Sequence, residues 1–286
     1  MKKLFSYKNA KTEYTRNMLP QNRKEQFFDI CKLQWKKLLL TGLIVLLFSL
    51  PLLFTSMAED VYINSINESF QSNSNMEQQV LFASIHYKSI IAGINIVLYA
   101  ILFVGLAGIA RIVRQLVWSE NVFFSADFML GIKQNISQYI ILGIGFGGVA
   151  FLTTFLSNLS LVDNSINSLL YYIPIGLAIV IILPILFYVM AISPVYSNSL
   201  CQNIKISIVL YIGSPIKTVL TILVCGIIII PMIIPNLCAH LIGRIMASLL
   251  FGFLFLIWTL YVYNRLDKEI NPKYYSELVN KGLFLN

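Results

Sequence analysis

Charge is scarce in this chain of 286 residues: Asp, Glu, Lys and Arg make up 12% of it, against 57% apolar residues, and the mean hydropathy is +0.75. A soluble domain carries about twice that share of charge, so a water-soluble globular class is not expected. Histidine is scarcer still. His86 and His240 are the only two, and no Cys or carboxylate is spaced from either as a metal site requires. The cysteines Cys31, Cys201, Cys225 and Cys238 are scattered, and only Cys238 falls on the oxidising side of the topology derived below, so no intramolecular disulfide is expected. The chain contains no Walker lysine loop, no HExxH and no GxSxG. We therefore assign no catalytic residue, no cofactor and no metal, and the chain does not read as an enzyme.

What the chain does contain is a series of six long uncharged runs. Leu38 to Ala58 forms the first, and Ser89 to Ala110 the second. The third covers about Tyr139 to Leu156, and the fourth about Leu169 to Ile192. The fifth runs from Thr218 to about Ile234, and the sixth lies between Arg244 and Arg265. About 20 residues of helix cross ~30 Å of hydrocarbon. In lipid every backbone N–H and C=O needs a partner, and continuous apolar runs of this length exclude the alternating strands of a barrel. The fold class is thus all-α: a polytopic membrane protein of six transmembrane helices. Of the 21 Lys and Arg residues, 19 fall on one side of this map, and only Lys88 and Arg244 fall on the other. The positive-inside rule then places both ends in the cytoplasm, at the cell membrane. The expected organisation is a basic tail over 1–37, a six-helix domain over 38–264 with an outer loop at about 56–88, and a cytoplasmic tail over 265–286. A cleaved signal peptide is the competing reading of the first run, but more than thirty residues precede it. The net charge of +8 sits beside the ends of apolar runs. It points to membrane lipids as partners and not to nucleic acid.

Two inner connections look structured. In the first, Ser125 can cap a helix in which Phe128, Ile132 and Ile136 recur every four residues while Asp127, Lys133 and Gln134 face elsewhere. This reads as an amphipathic helix lying on the inner surface, with Phe124, Asp127, Phe128 and Lys133 as candidate partner-binding residues. The second connection, Val195 to Lys217, has Ile204, Ile206, Ile208, Val209 and Ile212 among Ser, Asn and Gln and can do the same. Importer permeases of ABC systems place the helix that docks on the ATPase in such a position, but their Glu-Ala-Ala run followed by a distant Gly is missing here.

Within the spans, Gly143, Gly145, Gly147 and Gly148 read as sites of close helix contact rather than as a phosphate loop. Pro174, Pro184 and Pro231 interrupt the fourth and fifth spans, where they could shape a solute pathway. No ionisable residue occupies the apolar centre of any span, which weighs against an ion-coupled carrier.

Two stretches carry a resemblance. One is Ala110-Arg111 with Arg114, then Asn121, Phe123-Phe124, Asp127-Phe128, Gly131, Lys133 and Asn135. The other is the tail with Asp267, Asn271, Tyr274-Tyr275 and Lys281-Gly282-Leu283. Together they resemble the YesL-like family of bacterial membrane proteins. The resemblance implies a six-helix membrane protein of low-GC Gram-positive bacteria, often encoded near carbohydrate ABC transporters, and supplies no catalytic residues. Two functions are therefore expected. The first is a non-enzymatic accessory or regulatory partner of a transport system, with an ABC transporter component as the possible partner. The second is a permease for a small polar solute.

Overall fold

The first, second, third and sixth apolar runs each lie within a helix longer than the run, because helical hydrogen bonding continues into the polar flanks. The computed structural model describes residues 19–70, 77–162, 170–228 and 237–284, and among these it contains helices and no strand. Helix α1 spans Arg23–Phe70, with non-helical dihedrals at Gln34 (φ −120°, ψ 16°) and Pro51 carried inside it. Helix α2 spans Glu77–Val117 and α3 Phe124–Val162. A broken helix follows: α4 is Tyr172–Leu177, a wide π turn covers Ala178–Ile182, and α5 is Leu183–Ile192. Then come α6 (Leu200–Gly213), α7 (Pro215–Gly226), α8 (Leu237–Glu269) and the single turn α9 (Asn271–Tyr274).

Five of these helices are long and apolar enough to cross a membrane, six if α6 and α7 are taken as one span bent by 100°. The second half of the expected fifth span, with Pro231 in it, lies outside the described residues. Leu47, Phe54 and Val97 stand 62%, 67% and 61% exposed on the bundle surface. Such side chains are a liability in water and ordinary against lipid.

One expectation about the connections is corrected, and two further features come with it. The stretch 56–88 is helical at both ends, as α1 continues to Phe70 and α2 starts at Glu77. No separate surface helix joins the second and third spans, because residues 124–136 are the first turns of α3 itself. The helix also buries a different face. Asp127, Gly131, Asn135 and Tyr139 point inward, whereas Ile136 is exposed. Small and polar side chains allow close packing between apolar helices, so Ile136 is left outside while Phe128 is only partly buried.

Helix α2 packs most extensively against α3, and α1 lies between α2 and α8. Gly143 and Gly147 are the points of close approach: a Cβ on either would come within 2.7 Å of the α2 backbone at Ala100 or Ile96. Gly148 has open space beside it, and Gly145 only an ordinary contact with Leu186. The buried core is concentrated where α2, α5 and α8 end or pass, around Ile109, Ile112, Tyr188, Ile192, Leu256 and Leu266. This is also where the first and last described residues meet, with the Phe284 amide donating to the Pro20 carbonyl at 3.1 Å. We call it the terminal end and its opposite the distal end.

Candidate functional site

The polar chemistry of the molecule gathers at the terminal end. Arg23, in the first turn of α1, pairs with Asp267 of α8 at 2.6 Å, and both side chains are at most one-tenth exposed. The same guanidinium donates to Gln26 and to the Lys281 carbonyl. Gln26, 1% exposed, donates to the carbonyls of Val117 (2.6 Å) and Gly282 (2.9 Å). Asp267 also accepts from the Asn271 side chain and from the Asn280 amide. An isolated buried charge costs far more than a paired and hydrogen-bonded one, and here each charge has several partners. Tyr196 donates to Asn271 and stacks on Tyr275 with centroids 4.5 Å apart. Burial, with Tyr275 and Asp267 alongside, pushes the Tyr196 hydroxyl above the usual phenol range. It stays a neutral donor.

The C-terminal segment is thereby folded onto the bundle. Gly282 has φ +86°, and a Cβ there would overlap the Val117 carbonyl oxygen, so only glycine suits that turn. Next to it, Lys281 and Arg114 lie over the Trp118 ring at 3.8 and 4.6 Å, and both cations also reach Glu120. Attraction of this kind adds to the packing of an exposed aromatic edge.

The four predicted docking residues are separated by the fold. Asp127 is 8% exposed. It accepts from the Gln115 side chain (2.9 Å) and from the Phe123 amide (2.8 Å), with Arg111 at 3.7 Å. It closes the start of α3 by reaching back to an unpaired amide, the role expected of Ser125. Phe128 fills the space beside Gly108, and Phe124 packs on the core. Lys133 alone of the four is exposed, with exposed Leu130 three residues before it and exposed Phe123 just ahead of the helix. The first stretch that carries the family resemblance is thus largely a structural corner between α2 and α3, and the second is the folded tail.

The predicted pathway prolines also part company. Pro174 is exposed on α4 and Pro184 is buried in α5. Proline at 184 has no N–H for the Val180 carbonyl four residues earlier. Tyr211 of α6 donates its hydroxyl to that carbonyl at 2.6 Å, so the break is bonded to a neighbouring helix. Interior groups nearby are likewise matched: Tyr139 to the Met190 carbonyl (2.5 Å), Trp258 to the Phe187 carbonyl (2.9 Å) and Tyr188 to Thr218 (2.9 Å). Residues that sequence reasoning missed are Arg23, Gln26 and Tyr211. Apart from the Arg23–Gln26 bond, their side-chain partners are 31 to 258 residues away, and no local pattern marks them.

Two open grooves lie at the terminal end. One, of about 390 Å³, runs between the start of α1 and α8, along Phe27, Phe28 and Tyr261. The larger, of about 860 Å³, separates α6 from the segment Lys268 to Tyr275. Among the described residues no three His, Cys, Asp or Glu side chains are grouped to hold a metal. The fold and the exposed apolar faces define a class: an all-helical chain with several helices fit to cross a membrane. Comparison with protein-family models, curated proteins and solved structures finds no match to this chain.

Proposed function

We propose that this chain crosses the cell membrane six times with its terminal end in the cytoplasm, and that it is a non-enzymatic accessory partner of a transport system. The carbohydrate ABC systems implied by the YesL-like resemblance are the expected setting. One observation carries the accessory reading: the described interior is filled with aromatic side chains, and the polar atoms of Tyr139, Tyr188 and Trp258 are taken by the Met190 carbonyl, the Thr218 hydroxyl and the Phe187 carbonyl. A solute path needs polar groups that are free to bind the solute. The docking surface is the outward face at the start of α3, where Phe123 (74% exposed), Leu130 and Lys133 stand clear of the corner formed by Asp127 and Phe128.

A permease is the second reading, favoured by the break at Pro184 and its π turn. Against it, the carbonyl that the proline releases is already taken by Tyr211. Gentle detergent extraction followed by co-purification separates the two. A stoichiometric transporter component, lost in Phe123→Ala/Lys133→Glu, supports the accessory role. Sugar flux through liposomes containing this protein alone would overturn it.

A further inference from the structure

The groove between α6 and the Lys268 to Tyr275 segment has a chemistry that neither the bundle packing nor the docking surface uses. Three ammonium groups line it, from Lys205, Lys268 and Lys273. All three side chains are exposed. Among the described residues, none of the three lies within ion-pair distance of a carboxylate. The one carboxylate lining the groove belongs to Glu269, and it is held by Arg265 one helical turn earlier. The field facing the groove is therefore positive and not neutralised from within.

The wall opposite the tail segment carries Gln202 and Lys205 and, beyond them, an apolar strip. Lys205, Val209 and Ile212 follow one another at four- and three-residue spacing, which places them on one face of α6. Val209 is 55% exposed and Ile212 71%. Tyr274, 73% exposed at the rim, is an aromatic of the type that settles at a membrane–water boundary. A free anion would be served by the lysines alone, and a soluble acidic protein would gain little from a neighbouring strip of bare valine and isoleucine. A ligand with an anionic head joined to an acyl chain uses both walls.

From the unpaired charges and the adjoining apolar strip we infer that this groove holds the headgroup of an anionic phospholipid in the leaflet at the terminal end, its phosphate against Lys205, Lys268 and Lys273 and its chain along Val209 and Ile212. Basic pockets between helices on the cytoplasmic side of a membrane recognise such headgroups, each lysine contributing about fivefold in affinity. The inference rests on the membrane-crossing part of the reading above and not on the transporter partner.

The probe is the purified full chain, exchanged into nanodiscs of phosphatidylcholine with or without one-fifth phosphatidylglycerol, and read by native mass spectrometry after release. The expected result is retention of one phosphatidylglycerol and loss of about 100-fold in its affinity in Lys205→Gln/Lys268→Gln/Lys273→Gln. Lys32→Gln/Lys36→Gln/Lys217→Gln removes the same charge from outside the groove and should cost less than tenfold. Equal losses in the two variants would overturn the inference, since the attraction would then be that of the whole basic surface. Displacement of the lipid by millimolar inorganic phosphate would do the same, by showing that the chain adds nothing. A photoactivatable phosphatidylglycerol on the unmutated protein gives a second measurement free of folding effects. Label on α6 or on residues 268–275 supports the site, and label confined elsewhere overturns it. Groove lysines shielded by a bound protein instead of lipid would also overturn it. Lipid loss with the transporter component still co-purifying would sink this site and leave the accessory role standing.

Discussion

The two ends of the bundle are built on different terms. At the terminal end, α1, α2, α8 and the tail are tied by buried ion pairs, side chains bonded to carbonyls and a cation-flanked tryptophan. At the distal end, α1 and α2 run on beyond their apolar runs. There they are held by Tyr62 stacked on Tyr87 at 4.0 Å, by Thr55 bonded to Asn95 and by a partly exposed Asp60–His240 contact of 3.7 Å. Hydrocarbon holds helices upright without specifying which neighbours they take. Among the described residues, the specific polar contacts that choose neighbours gather mostly at the terminal end.

The sharpest way to break that comparison is to remove one acid from each end. Asp267→Ala leaves the Arg23 charge buried and strips two further donors of their acceptor, so thermal unfolding in detergent should show a loss of about 3–5 kcal/mol. Asp60→Ala at the distal end removes a half-solvated contact and should cost under about 1 kcal/mol. Equal losses would mean that the ends are not different in kind. A middle-sized effect is expected from glycine. Gly282→Ala forces a side chain into a left-handed turn against Val117, costing about 1–3 kcal/mol and exposing the tail to limited proteolysis. Gly93→Ala, in the distal half of α2 with open space beside it, should be neutral or stabilising by up to about 1 kcal/mol. The smallest effect lies between the ends. Tyr211→Phe orphans the Val180 carbonyl at a cost of roughly 0.6–2 kcal/mol, and amide exchange over residues 178–186 should quicken while the terminal end is unchanged.

The spans were readable because lipid imposes one simple demand, an unbroken apolar run, and Leu38 to Ala58 or Ser89 to Ala110 answers it without reference to any other residue. Helix ends were not readable, since 59–70 and 77–88 are polar enough to pass for a loop and become helical only by continuing a helix already nucleated. The face that α3 buries, with Asp127, Gly131 and Asn135, is not the one that the four-residue spacing of Phe128, Ile132 and Ile136 marks, because small and polar side chains allow close packing between apolar helices. Of the candidate docking residues, Lys133 kept its expected exposure and Asp127 did not, because its carboxylate is needed by the amide of Phe123 and by Gln115. The pairs that close the terminal end, Arg23 with Asp267 and Gln26 with Gly282, span 244 and 256 residues. A single sequence carries no signal at that range.

The separation between Arg23 and Asp267 also sets a clock. Synthesis proceeds at about 5–20 residues per second, so the 244 residues between the two take on the order of ten seconds to a minute to emerge. Throughout that interval the arginine lacks the acid that receives it in the folded chain, and the helices made first can still exchange neighbours. The latch that ends the exchange is delivered 244 residues after the arginine, so this end of the bundle closes only after the helices between the two have been made.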